Sequence, residues 1–159
     1  MTLLETVHLI SDAIDKTDFT AVIFVDLSKA CDNVNHNIFF DKLENYGIKG
    51  SAHLWFNNYL QKRQQYISCY KHKSELLLIT CKVPQGSILG PLLFFIYIND
   101  LILCSTLLKF ILFADDTNVI YSGKNIVTVF DTLSIGLAKL SNWFKVNKLS
   151  LNVKKTNYI

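Results

Sequence analysis

Apolar positions recur along the chain in several rhythms, and each predicts a different element. Leu3, Val7, Ile10 and Ile14 step at helical spacing and predict an amphipathic opening helix. Residues 20–25 (Thr-Ala-Val-Ile-Phe-Val) form a β-branched, nearly all-apolar run without polar alternation, which reads as a strand covered on both faces and ending at Asp26. Helices are expected over 37–46 and 52–62, separated by Gly47 and Gly50, with Leu54, Trp55, Tyr59 and Leu60 supplying an apolar face. Residues 65–70 and 75–81 resemble a strand pair joined by a polar turn at 71–74. A helix over about 89–103 precedes a second apolar strand at 107–114, and residues 118–121 can run back as its hairpin partner across Asp115 and Asp116. Ile126, Phe130, Leu133, Leu137, Leu140 and Phe144 step by three or four and predict one long helix with a continuous stripe, too short for a coiled coil. Leu149, Leu151 and Val153 then alternate, and a further strand is expected towards Ile159. The pattern carries no internal repeat and no interdomain linker.

Composition narrows the class. The 159 residues are 50% hydrophobic, 13% aromatic and 18% charged, which excludes disordered and low-complexity classes and predicts a single folded domain over residues 1–159. Cys31, Cys69, Cys81 and Cys104 form no C-x-x-C pair and no histidine cluster completes a zinc knuckle, so four buried thiols in a reducing, intracellular setting are expected. Met1 to Glu5 lack a basic flank leading into an apolar run, so no secretory signal is read. The most apolar window, 88–98, contains Pro91 and stops at Asn99 and Asp100, short of the ~20 residues that span a bilayer. A buried core helix and no membrane partner follow. Net charge is +3, yet beyond Asp131 there are no acids, while Lys139, Lys145, Lys148, Lys154 and Lys155 make that end basic. A solvated lysine face explains this about as well as a nucleic-acid surface does, and a single arginine, Arg63, argues against a densely phosphate-clamping module.

The chemistry concentrates in three acids at strand ends, Asp26, Asp115 and Asp116. Adjacent carboxylates at a tight turn repel one another, and beside apolar strands they are costly unless cations neutralise them. Carboxylate oxygens suit hard cations such as Mg²⁺, and two such ions ~3.5–4 Å apart serve in-line phosphoryl transfer. An isolated Asp-Asp-Thr-Asn would read as a solvated turn; the third acid on another buried strand points to a metal site instead. Between the acids lies the octad 84–91. It holds the chain's two prolines, Pro84 and Pro91, with Gln85, Gly86, Ser87 and Gly90. Its prolines fix φ, Gly86 permits close backbone approach to a ligand, and Ser87 can cap the helix beginning near Leu89. Such a loop can hold a flat base; a plain turn gives no reason for Gln85.

Four phrases carry a resemblance: Phe24-Val25-Asp26-Leu27-Ser28-Lys29-Ala30; the octad with Leu92-Leu93-Phe94 and Asn99-Asp100; Phe113-Ala114-Asp115-Asp116; and Leu149-Ser150-Leu151-Asn152 leading to Lys155-Thr156. In this order they resemble the palm motifs of reverse transcriptases, most of all those of non-LTR (LINE-like) retrotransposons. The resemblance implies an α+β fold, a polymerase palm-like antiparallel sheet packed on helices, with fingers and thumb mostly absent. It implies RNA-templated DNA synthesis with an RNA template, a DNA primer and dNTPs as partners, alongside the missing parts of a parent polyprotein, and a nuclear site of action for an active element. Asp26, Asp115 and Asp116 would ligate two Mg²⁺ ions, with Mn²⁺ as a substitute, and the Leu27 carbonyl would be a further ligand. Backbone amides near Lys29 and Ala30 would hold the triphosphate, Gln85 and Gly86 would line the nucleotide pocket, and Lys155 would protonate leaving pyrophosphate.

Two positions depart from the family pattern. Cys31 stands where an aromatic usually packs under the sugar, which predicts an open gate and weak discrimination against ribonucleotides. Asn35 replaces an acid in Asp32-Asn33-Val34-Asn35-His36, and His36 is expected to open a helix rather than act as a base. The competing reading is a catalytically inactive remnant that keeps the fold and binds nucleic acid weakly. A membrane-associated protein and a DNA-templated polymerase are weighed and set lower.

Overall fold

The computed structural model describes residues 2–84, 86–113 and 116–159, Thr2 by its backbone alone. The chain forms two compact units, residues 1–30 with 98–159, and residues 31–97.

The first unit is built on an antiparallel sheet. Strand β1 (Phe19–Ser28) is its centre, because its unbroken apolar run can be covered on both faces. On one side it pairs with β7 (Asp116–Gly123), which returns along β6 (Lys109–Phe113). On the other it pairs with two short C-terminal strands, β8 (Ser150–Leu151) and β9 (Asn157–Tyr158). Helix α1 (Thr2–Asp15) packs Leu9 and Ile10 on Val22, Ile111 and Ile120. Helix α5 (Ile126–Val146) meets the alternate residues of β1, and between them lies a groove of about 490 Å³ lined by Ala21, Ile23, Val25, Phe130 and Leu137 among others. Gly136 lets α5 approach closely, since a Cβ there would lie 2.2 Å from Leu108 Cδ1.

Both helices predicted for this unit form, with differently placed faces. On α1, Leu3, Val7 and Ile14 are exposed, while Thr6 and Ala13 are buried. Thr6 accepts a hydrogen bond from Asn118 Nδ2 at 3.3 Å, so a polar contact shares the packed side. On α5, Leu133, Leu140 and Phe144 are buried as the stripe predicts, but Ile126 and Phe130 are exposed and Val129 and Gly136 take their place. Val153, expected to alternate as a strand residue, is exposed in a turn.

The second unit carries α2 (His36–Asn45), α3 (Gly50–Leu60) and most of α4 (Gly90–Ile98). Asn35 caps α2, its side chain accepting from Ile38 N–H at 3.2 Å, and His36 opens the helix. The helix stops at Gly47, whose φ of +82° and N–H bond to the Glu44 carbonyl form the left-handed closure that only glycine adopts cheaply. On α3 only Leu60 of the expected face is buried; Trp55 and Tyr59 stack on each other at 5.4 Å. The expected strand pair is two short ladders, β2 (Gln64–Gln65) with β5 (Leu77–Leu78) and β3 (Ser68–Cys69) with β4 (His72–Lys73). Their registers differ by one residue, a bulge that breaks the hairpin. After α4 the chain tightens into a 3-10 segment, Asn99–Cys104, where one continuous helix was expected.

The four thiols are free but none is buried: Cys69 and Cys81 are exposed and Cys31 and Cys104 half-buried. Cys69 sits on an exposed ladder whose residues face solvent throughout, which sequence spacing does not reveal. The 88–98 window is only partly a core helix. Leu93, Phe94, Tyr97 and Ile98 are buried, whereas Ile88, Leu92 and Phe95 are exposed. Among the described residues, no helix is long and apolar enough to cross a membrane.

Candidate active site

Asp26 and Asp116 are brought together by register. They are cross-strand partners on β1 and β7, and Asp116 is also paired with Phe113 at the closing end of the β6–β7 hairpin. Alternation puts Phe24, Asp26, Asp116 and Asn118 on one face of the sheet. Asp115 and Ala114 lie outside the described residues, as does Gln85.

The C-terminal strands supply the other charges. On β1 only Val25 and Asp26 separate the positions paired with β9 and β8, whereas residues 152–156 separate those strands on their own segment. The excess is extruded as a turn opposite Asp26. It is fastened there from both sides: Asn152 N–H donates to the Asp26 carbonyl at 2.9 Å, and Asp26 N–H donates to Thr156 Oγ1 at 3.5 Å. Thr156 Oγ1 itself donates to the Asn152 carbonyl at 3.0 Å. The Asp26 main chain is thus locked while its half-buried side chain remains in the pocket.

That pocket has a volume of about 630 Å³, and its lining includes Asp26, Asp116, Asn118, Lys154, Lys155 and Asn157. Sequence reasoning singles out Asp26, Asp116 and Lys155 and misses Asn118 and Asn157. The period-two spacing of Asn118 from Asp116 was the available signal. Lys154 lines the pocket beside Lys155, so adjacency in sequence does not separate the two.

The remaining residues fall in two places. Leu27 and Ala30 are buried, and Lys29 is exposed with φ +50°. Cys31 and Gly86 line one groove of about 360 Å³ in the second unit, with Val83, Pro84 and Ser87 among its other walls. The octad's constraints are visible here. Gly86 has φ +77°, Ser87 Oγ accepts from Gly90 N–H at 3.0 Å, and a Cβ on Gly90 would press to 3.2 Å on the Pro84 carbonyl. His36 is buried, with Nε2 2.9 Å from the Lys82 carbonyl, a structural placement as expected from its sequence context.

Among the described residues no three histidine, cysteine or acidic side chains converge as a metal-binding group. The carboxylates of Asp26 and Asp116 are hard oxygen donors at one ladder position, a partial set suited to a divalent cation.

A model of the family described as reverse transcriptase (RNA-dependent DNA polymerase) matches residues 3–159. The chain is 25% identical over 162 residues to the RNA-directed DNA polymerase from mobile element jockey of Drosophila melanogaster, covering 94% of this chain and 17% of that protein. It is 27% identical over 170 residues to the probable RNA-directed DNA polymerase from transposon BS of the same organism, covering 95% of this chain and 17% of that protein. The chain therefore spans about 17% of the length of these curated relatives. Among solved structures it is similar to telomerase from Candida albicans in complex with a TWJ fragment of telomeric RNA. The TM-score is 0.56 at 13% identity, over 98% of this chain and 30% of that one, a likeness of fold alone. With the acid-tipped antiparallel sheet and the family model agreeing over nearly every residue, the chain belongs to the reverse transcriptase family.

Proposed function

We propose that the chain is the palm of an RNA-templated DNA polymerase, transferring nucleotidyl groups from dNTPs to a primer 3′-hydroxyl. The observation that carries this reading is the pocket in which Asp26, Asp116, Lys154 and Lys155 meet. Asp26 and Asp116, joined by Asp115, would hold two Mg²⁺ or Mn²⁺ ions, which when bound supply charge stabilisation to phosphate oxygens. Asp26 is suited to a fixed role because its main chain is bonded on both sides. Lys155 would hold a proton for the leaving pyrophosphate from a turn fastened to Asp26. Left-handed Lys29, followed by the 3-10 turn at Ala30–Asp32, has the alternation in which successive N–H groups can converge on an anion, with the Leu27 carbonyl just upstream. Cys31 and Gly86, sharing one groove, would face sugar and base, with Gln85 between Pro84 and Gly86. The reading calls for RNA template, DNA primer and the further domains of a longer protein as partners.

Primer extension on an RNA template with Mg²⁺ tests it. Extension by the wild type and its loss in both Asp115→Asn and Asp26→Asn are expected. No extension by a folded wild type would leave the inactive, weakly nucleic-acid-binding unit as the better account.

A further inference from the structure

The 31–97 unit holds a polar groove of about 330 Å³, lined by Arg63, Gln64, Gln65, Ile79, Lys82 and Pro84. Arg63 is the only arginine in the sequence, is exposed, and makes no ion pair among the described residues. Lys82 is held from three directions. Its N–H donates to the Val34 carbonyl at 2.8 Å, its carbonyl lies 2.9 Å from His36 Nε2, and its ammonium is 3.3 Å from Asp32. The opposite wall is equally fixed, since Ile79 N–H donates to the Arg63 carbonyl at 2.9 Å and Gln64 and Gln65 are paired with Leu78 and Leu77. Arg63 and Lys82, the two cations of the lining, thus share one space on a pinned frame.

Pro84 lines this groove and also the groove of Cys31 and Gly86. The two spaces abut at that residue, a cationic compartment beside an apolar one, which is the order of parts along a nucleotide chain. We propose that the Arg63–Lys82 groove binds a phosphodiester of a single nucleic-acid strand whose neighbouring base lies towards Pro84 and Gly86. The inference rests on the polymerase reading above. A nucleotide triphosphate presents the same phosphate oxygens but several charges at once. A groove with two cations, one already shared with Asp32, matches the single charge of a phosphodiester better.

The test uses the full chain and a fluorescent single-stranded oligoribonucleotide, its affinity measured across a salt series. Arg63→Gln and Lys82→Gln are each expected to weaken binding and to flatten the log affinity against log salt plot by about 0.7 for each phosphate that is no longer neutralised. Arg63→Lys should restore most of the slope, and Lys139→Gln, in the other unit, should leave it unchanged. A slope indifferent to Arg63, or an equal loss in Lys139→Gln, overturns the groove. So does a variant that loses affinity for a fluorescent dNTP while keeping the oligonucleotide, which would assign the site to the triphosphate. Primer extension on the same preparations separates the two readings. Extension with a slope blind to Arg63 overturns the groove alone, whereas Arg63-dependent binding without extension overturns the polymerase reading alone. A wild type that binds no oligonucleotide overturns both.

Discussion

Asp26 and Asp116 occupy one ladder position on neighbouring antiparallel strands, so two carboxylates project side by side from one face of the sheet. Like charges directly opposite cost about 0.2–1 kcal/mol in such pairs. Asp116→Asn should therefore raise stability by about that amount in metal-free buffer. Thermal melts with and without Mg²⁺ check it: added Mg²⁺ is expected to raise the wild-type Tm and to move the variant less. A variant less stable than wild type without metal contradicts the pairing.

Gly136 marks where α5 touches Leu108. An added Cβ would sit 2.2 Å from Leu108 Cδ1, too close for any rotamer shift to be free. Gly136→Ala is expected to cost about 1–3 kcal/mol by overpacking, although alanine is the better helix former. In denaturant titrations, Leu108→Ala in the same chain should recover part of that loss, so that the two effects are not additive.

Asn35 is an N-cap rather than a weakened acid. Asn35→Ala should lower stability by about 1 kcal/mol through the orphaned Ile38 N–H, and Asn35→Asp should be neutral within a few tenths. Equal unfolding midpoints for Asn35→Ala and wild type would mean that the cap contributes nothing to stability.

The thiols should separate by reactivity. Burial pushes the Cys104 pKa up, and Asp100 adds to that, while its backbone hydrogen bond and Lys139 oppose it. Because a raised pKa leaves less thiolate at any pH below it, Cys104 should alkylate later than exposed Cys69 and Cys81 at pH 8, with the gap closing as pH rises. Timed iodoacetamide labelling read by peptide mass spectrometry gives the order.

Cys31 lines the octad groove without the bulk of an aromatic. Primer extension with each sugar type should show weak selection against ribonucleotides in the wild type, and Cys31→Tyr should sharpen it. Strong deoxy selectivity in the wild type would mean that another residue forms the gate.

The elements were legible where the period was long and unbroken: β1, α5 and the hairpin stand where the apolar runs put them. The faces were less so. Periodicity marks Leu3, Val7 and Ile14 as one stripe, yet α1 turns a different side to the sheet, because the Thr6–Asn118 hydrogen bond and the Val22 cluster set its rotation. Of the candidate site, Asp116 stands at a strand end as expected, whereas Asp26 lies inside β1, which runs on to Ser28 instead of ending at the acid. Asn118, Asn157 and the lysine turn depend on registers between segments ninety or more residues apart, and no local pattern encodes those. The bulge that breaks the exposed hairpin has the same origin: a one-residue slip is invisible in a sequence whose side chains there face solvent.

Order of synthesis gives the clamp on Asp26 a biogenetic cost. Strand β1 emerges from the ribosome ahead of its partners: among the described residues, one of its edges is covered by 116–123 and the other by 150–158. Until those residues are made, the nascent chain therefore carries an apolar strand with open backbone donors and acceptors, an invitation to pair with other chains. Residues 150–158 both shield that edge and seat the lysines beside the acid, so protection from aggregation and completion of the pocket arrive in the same folding event.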